Sequence, residues 1–401
     1  MPAKRPRYLV LTHVAAFAAE APGTVALPGP FVAAIGAQAA ALQQAGFEVT
    51  LAVPLRTRGR APGDHVELRP DDLGITVVPL PAYRTMPQYL AMRRGLRRTV
   101  AAAAQKADVV QAGVGGYPLA MAEAVWDKLG ASAAKRLLLF GEDPFPARAK
   151  HAANGRNPAK RYGKSLALQR LGRFCQSAIG EAAATIAHSP AVADRFAAEW
   201  GTNCHVLPPG LIRDADLTTA KPKPPARTLR IACVGREQAV AGVDHVLEAV
   251  ARAKRLSAAI ELDLVGDVTG SESLMNLIRD LGLEPVVRLH GYLSDDRLPA
   301  VLDACDVFVS PTLVPTIDRL IYRAAARGLP IVSYGSGAAD VGRAGVLVPH
   351  GDATLLGEAL LALSRDRERV RQMSSAALAW ARESTLEAVH RRRAEIARGV
   401  L

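Results

Sequence analysis

The chain reads as an α/β protein made of two doubly wound, parallel-sheet domains, and three observations carry that reading. Strand-length apolar runs alternate with Ala/Leu-rich helical patterns along the whole sequence, the signature of strand–helix–strand crossovers. The alternation breaks once, at Asp214–Arg227, where DADLTTAKPKPPAR is polar and proline-rich in the manner of a linker. A length of 401 residues exceeds one ordinary core and suits two domains of about 200 residues each. The expected division is a first Rossmann-like domain over residues 1–213, a linker over 214–228 and a second Rossmann-like domain over 229–401. Two such domains face a cleft at the carboxyl ends of their strands.

In the first domain the apolar runs predict strands at Tyr8–Leu11, Val49–Val53, Ile75–Val78, Val109–Val110, Leu137–Phe140, Thr185–Ala187 and His205–Leu207. Helical spacing predicts Phe31–Ala45, Met86–Gln105, Leu119–Leu129 and Val192–Trp200 between them. In the second domain strands are expected at Leu229–Val234, Glu261–Val265, Val286–Leu289, Val307–Val309, Ile331–Val332 and Val346–Val348. The helices are Val243–Ala253, Ser271–Leu281, Leu298–Ala304, Arg319–Arg327 and Leu355–Ser364, with a last helix at Leu386–Gly399. The helix at Arg319 is closed by Gly328-Leu329-Pro330, a glycine stop followed by a residue that cannot continue a helix.

Composition narrows the function classes. Charged residues are 22% and hydrophobic ones 49%, as in a soluble globular protein, and no apolar run reaches the ~20 residues of a membrane helix. The basic start MPAKRPRYLVLTHV lacks a signal-peptide cleavage site. Cys175, Cys204, Cys233 and Cys305 are far apart without C-x-x-C spacing, which points to free thiols in a reducing cytoplasm and away from a metal site. The net charge of +12 lies wholly in residues 1–213, with 26 basic and 14 acidic residues; the remainder holds 24 of each. It is densest at Arg93, Arg94, Arg97 and Arg98, and between Arg148 and Arg173, where eight basic residues meet no acidic one. Such a surface attracts an anionic membrane face or a phosphorylated carrier lipid, or is simply a solvated Arg-rich surface. Nucleic acid is not expected, since residues 147–174 offer only Tyr162 and Phe174 for stacking.

One segment carries most of the chemistry. Pro311–Pro330, PTLVPTIDRLIYRAAARGLP, follows a buried strand and opens a helix, so its backbone N–H groups and helix dipole suit phosphate. Its length and punctuation resemble the donor-binding signature of family-4-type (group 1) retaining glycosyltransferases. So do VGREQAVAGVDHVLEAV, LVGD, LGLEPVVRLHGYLSDDRLPAVLDACDVFVSPT and GVLVPHGDATLLGEALLALSRDRERVRQM; the first half resembles the family more weakly, through Gly29-Pro30-Phe31 and VLPPGL. The resemblance implies a GT-B fold, a last helix that crosses back to the first domain, and a UDP- or GDP-sugar donor handled without a metal.

The resemblance also implies site residues. Gly235 and Arg236 match the phosphate-binding turn, with Arg236 either an anion contact or a structural arginine at a strand end, while the usual lysine position is Ala241. Gly291 and Tyr292 match the nucleobase turn, and Ser310 and Pro311 the donor loop. The family's two glutamates, one near the reacting sugar and one on the ribose hydroxyls, fall at Pro315 and Arg323. Arg323, with neighbouring Arg319, is placed to grip phosphate, pair with a carboxylate or face solvent. Asp318 either replaces a lost acceptor or caps the following helix. Tyr292 is a base contact or an ordinary half-buried aromatic. In the first domain Gly29 marks a glycine loop. Glu142 and Asp143 follow a strand as acceptor-binding or general-base candidates, or as helix-capping loop acids. His13 and His188 also follow strands, and Gln111 stands where the family often has a histidine. Three functions stay open at this point. The first is sugar transfer to a glycan or lipid-linked acceptor at the inner membrane face; the second is a non-catalytic relative that binds a protein partner; the third is a sugar-nucleotide epimerase.

Overall fold

The computed structural model describes residues 4–12, 14–19, 24–57, 59, 61–83, 86–114, 136–141, 182–202, 204–218, 227–235, 242–266, 270–311, 318–335 and 341–401. The chain divides into two units, residues 1–209 with 386–401, and residues 210–385. The expected helix at Leu119–Leu129, the basic stretch 148–173 and residues 219–226 of the linker lie outside the described residues.

The first unit contains strands β1 (Arg7–Leu11), β2 (Ala16–Ala18), β3 (Val25–Pro28), β4 (Glu48–Arg56), β5 (His65–Leu68), β6 (Thr76–Pro81), β7 (Val109–Val114), β8 (Leu137–Gly141), β9 (Ala184–Ala187) and β10 (Cys204–Val206). They form one sheet in the order β10-β9-β8-β7-β1-β4-β2-β3-β5, with β6 also paired to β4. The pairings from β10 through β4 are parallel, as the crossover pattern predicts. The edge is not: β3 runs antiparallel to both β2 and β5. These strands of three or four residues are too short to show a period in the sequence.

Helices α1 (Gly29–Gln44), α2 (Met86–Gln105) and α3 (Pro190–Trp200) follow strands in this unit. The start of α3 shows how local chemistry sets a boundary. The Ser189 hydroxyl accepts the Val192 N–H at 3.3 Å, Pro190 takes the first helical position, and Gly201 stops the helix in the left-handed region at φ 66°.

The second unit contains β11 (Leu229–Val234), α4 (Val243–Arg255), β12 (Ile260–Val265), α5 (Glu272–Asp280), β13 (Val287–Gly291), α6 (Leu298–Ala304), β14 (Val307–Ser310), α7 (Arg319–Ala326), β15 (Ile331–Tyr334), β16 (Gly345–Val348), α8 (Ala353–Arg365) and α9 (Arg367–Glu383). Its sheet, β13-β12-β11-β14-β15-β16, is parallel at every pairing. Leu229, Ile231 and Cys233 pack with Leu247, Val250, Leu356 and Leu360 of α4 and α8 on one face. Ala232 and Phe308 pack with Leu302, Ile321, Tyr322 and Ala325 of α6 and α7 on the other. Burial on both faces is why these strands read as continuous apolar runs.

Helix α10 (Leu386–Gly399) follows the second unit in sequence and belongs to the first. Its Val389, Ala394 and Ala397 join Ile35, Ala39 and Leu42 of α1 in one core. A buried polar chain runs beneath that contact. Tyr8 donates its hydroxyl hydrogen to Gln111 Oε1 at 2.8 Å, and Gln38 Nε2 donates to the same oxygen at 2.5 Å. Arg393 Nη1 donates to Gln38 Oε1 at 3.1 Å and to His390 Nδ1 at 3.0 Å. Burial, reinforced by the Arg393 charge, holds the His390 imidazole down at about 2, so it stays neutral. An unfolded chain protonates that histidine below about pH 6.5 while the folded one does not, so stability falls as pH drops below that point. His390→Gln keeps an acceptor for Arg393 and removes the titration. Urea unfolding of the variant between pH 7 and pH 4 is expected to show a shallower loss of stability than the parent.

Candidate functional site

A parallel sheet aligns all its strand carboxyl ends on one edge, and ligands of such sheets bind there. In the second unit three neighbouring strands meet glycines at that edge: Gly235 follows β11, Gly266 follows β12, and Gly291 is the last residue of β13. Gly235 N–H donates to the Val265 carbonyl at 2.9 Å, and Gly266 N–H to the Gly291 carbonyl at 2.8 Å. Gly266 sits at φ 124°, and a Cβ there would lie 1.8 Å from the Gly235 carbonyl oxygen. A Cβ on Gly235 would lie 2.1 Å from Val243 Cγ2. The missing side chains therefore let α4 begin directly against the end of β11. Its N-cap is Gly242, at φ 63°, with no side-chain cap, whereas α5, α7, α8 and α9 are capped by Ser271, Asp318, Asp352 and Asp366. The start of α4, which has no side-chain cap among the described residues, thus brings backbone donors and a positive dipole end to the strand edge.

The helix after β14 is occupied differently. Ser310, 1% exposed, donates its hydroxyl hydrogen to Asp318 Oδ2, and Asp318 Oδ1 accepts the Leu320 N–H at 2.9 Å. Asp318 is thus the N-cap of α7 and the anchor of Ser310, with both carboxylate oxygens engaged. Pro311 is buried behind the strand and Arg319 is exposed. Arg323 neither faces open solvent nor stands ready for phosphate. Its Nη1 donates to Asp295 Oδ1 at 2.6 Å and its Nη2 to the Asp295 carbonyl at 2.9 Å, in the loop between β13 and α6. Tyr292, in the same loop, is 81% exposed and is therefore no half-buried aromatic.

Beneath this loop lies a charged cluster that sequence reasoning missed. Asp263, fully buried in the middle of β12, accepts from Arg230 Nε at 2.5 Å and Nη2 at 2.9 Å, and lies 2.6 Å from His290 Nε2. The Cys305 thiol adds a contact of 3.6 Å. Burial alone would raise the Asp263 pKa, but the hydrogen bonds from Arg230 and His290 overcome it and hold the carboxyl below its ordinary value. His290 immediately precedes Gly291, so the cluster anchors the strand end that carries the exposed Tyr292. An aspartate in a run such as ELDLV gives no sign in sequence of which cross-strand partners it will meet. Also missed was the pair of His245 Nδ1 and the Tyr334 hydroxyl, 2.9 Å apart at the ends of α4 and β15, where burial raises the phenol to about 12.

In the first unit His188 is half-buried after β9, with Nδ1 3.3 Å from the Leu207 carbonyl oxygen. Gly29 opens α1 itself, and its N–H donates to the Asp64 carbonyl at 3.1 Å. A crevice of about 1030 Å³ lies at the carboxyl ends of β4 and β6, lined by Leu80, Pro81 and Met92 with Arg56. The Arg56 guanidinium also covers the Phe17 ring, 5.3 Å from its centroid. His13, Glu142, Asp143, Arg236, Ala241 and Pro315 lie outside the described residues. Among the described residues no three His, Cys, Asp or Glu side chains are grouped to hold a metal ion, and no helix is long and apolar enough to cross a membrane.

Residues 32–210 match the family model of the glycosyl transferase 4-like domain, and residues 228–366 match that of the glycosyl transferases group 1. The chain belongs to the group 1, GT4-like glycosyltransferases. Its fold is GT-B, as in solved structures that align over nearly its whole length. Lipopolysaccharide outer core galactosyltransferase WaaB, in apo form, aligns with a TM-score of 0.64 at 11% identity, over 98% of this chain and 100% of that one. Anabaena Alr3699/HepE in complex with UDP-glucose aligns with a TM-score of 0.55 at 17% identity, over 98% and 100%. In sequence, the MMP alpha-(1->4)-mannosyltransferase of Mycolicibacterium hassiacum is 33% identical over 135 residues, which are 33% of this chain and 32% of that protein. The first curated relatives are matched over only 40% and 38% of their own length.

Two substitutions test the group 1 strand edge. Gly266→Ala must push aside the Gly235 carbonyl at an unfavourable φ, and a loss of about 3 kcal/mol or more is expected in urea unfolding. Asp263→Ala leaves Arg230 and His290 without their carboxylate, and about 3–5 kcal/mol is expected to be lost by the same measurement.

Proposed function

We propose that this chain is a retaining glycosyltransferase, moving a sugar from a UDP- or GDP-linked donor to a glycan or lipid-linked acceptor. The observation that carries the reading is the glycine strand edge at Gly235, Gly266 and Gly291, on which the start of α4 rests. A departing nucleoside diphosphate gains negative charge as the glycosidic bond breaks. Fixed backbone donors and a helix dipole favour that charge without rearranging during the reaction. Arg236, one residue after Gly235, would add a fixed cation that hydrogen-bonds phosphate through its planar fork. HepE's solved complex with UDP-glucose supports a nucleotide-sugar donor for the same fold.

The acceptor belongs to the first unit in this reading. Arg94 and Arg98 are exposed on α2, so the basic balance of the sequence has an outward face there. That suits a cytoplasmic enzyme docking peripherally on an anionic inner-membrane surface. Glu142 and Asp143 remain the acceptor-side acids of the proposal, and His13 and His188 remain its proton-transfer candidates.

A second reading has its own observation. Arg323 is already committed to Asp295, and Pro315 carries no carboxylate, so the family's two glutamate functions are not met at their usual positions. A non-catalytic relative that keeps the fold and binds a protein partner would look the same. Titration calorimetry with UDP, GDP and a panel of their sugars separates the two. The transferase reading expects micromolar binding of one nucleotide family, weakened about tenfold or more by Arg236→Ala, in keeping with loss of a charge-assisted contact. Absence of binding by any nucleotide overturns it.

A further inference from the structure

The Arg323–Asp295 contact differs from an ordinary surface ion pair. Most exposed pairs fix little, because two long side chains remain free to part. Here one guanidinium grips both the carboxylate and the main-chain carbonyl of a single residue, at 2.6 and 2.9 Å. Arg323 itself is only 28% exposed, while the Asp295 side chain it holds is 93% exposed. A half-buried fork on a helix therefore presents a positioned carboxylate to solvent, with Oδ1 bonded and Oδ2 open. The adjacent acid is otherwise engaged: Asp296 is hydrogen-bonded to Ser294, which lowers its pKa.

The surroundings select the kind of group such a carboxylate would meet. Tyr292, 81% exposed, stands three residues away at the end of β13. A phosphate is repelled by a carboxylate, and a free cation is disfavoured by the Arg323 charge already bonded to it. Hydroxyl donors remain, and an exposed aromatic beside them suits a flat ring. The edge order β13-β12-β11 puts this loop two strand spacings, about 10 Å, from the strand that leads to the start of α4. A nucleoside diphosphate laid along the edge would then have its phosphates at α4 and its nucleoside at β13.

We propose that Asp295, held by Arg323, is the carboxylate that accepts the ribose hydroxyls of the nucleotide. The clamp thereby returns, from the neighbouring loop, a negative charge that α7 itself lacks at position 323. This rests on the donor-binding reading above, and its test is separable from that reading. Calorimetry compares UDP and GDP with their 2′,3′-dideoxy analogues. The parent protein is expected to prefer the ribose form by about tenfold, the scale of a hydrogen bond to a charged group. Asp295→Ala should abolish that preference and leave affinity for the dideoxy form unchanged, and Arg323→Met should reduce it by untethering the carboxylate. Melting temperature checks that both variants fold. Undiminished preference in Asp295→Ala overturns this inference and leaves the donor reading standing, as does tighter binding by Arg323→Met, which would mark the clamp as an obstruction. Failure of the parent to bind either nucleotide removes the donor reading and this inference with it.

Discussion

The second unit depends on the approach of two main chains at Gly235 and Gly266. Where the Gly235 carbonyl oxygen rests against the Cα of Gly266, there is no volume for even a methyl group. That contact lies just past the regular pairing of β11 and β12, where the Gly235 N–H still reaches the Val265 carbonyl. It also leaves room for Val243 to seat the first turn of α4 on the strand end. What the candidate site offers an anion follows from this: the first turn of α4 set against the end of β11, and strand ends that meet in glycines. The loop bearing Tyr292 and Asp295 is fixed to the same edge from below, through His290 and the buried Asp263.

Much of this architecture was legible in the sequence because a parallel sheet buried on both faces leaves long apolar runs. Each expected strand of the second domain has a counterpart, from Leu229–Val234 to Val346–Val348; the central ones, β11, β12, β14 and β15, are largely buried, while the edge strands β13 and β16 are only partly so. The antiparallel edge of β2, β3 and β5 was not legible, since three-residue strands such as Ala16–Ala18 have no period to read. Helix Arg367–Glu383 was likewise not singled out; its polar residues outnumber the few apolar ones that bury, such as Val370 and Ala377.

The candidate site was legible in its frame and illegible in its contacts. Spacing placed Gly235, Ser310 and Arg323 at strand ends and on the right helix, because motif length constrains the backbone. It left three fates open for Arg323 and two for Asp318, since a hydrogen-bond partner 28 residues away in sequence leaves no local trace. For Asp318 the structure gives the cap. For Arg323 it gives a carboxylate from another loop, so a position that looks charge-reversed in sequence is an acid–base pair in space. The buried Arg230–Asp263–His290 cluster makes the same point: charged residues on adjacent strands combine only once register is known.

Helix α10 gives the first unit an unusual biography. Its core includes Val389, Ala394 and Ala397, yet these are synthesised after the whole of the second unit. On the ribosome, Ile35, Ala39 and Leu42 of α1 therefore wait with an uncovered apolar stripe while some 180 further residues emerge, on the order of ten seconds or more at usual elongation rates. During that interval the second unit, made from one uninterrupted segment, is free to fold first. The order of maturation is then the reverse of the order of translation.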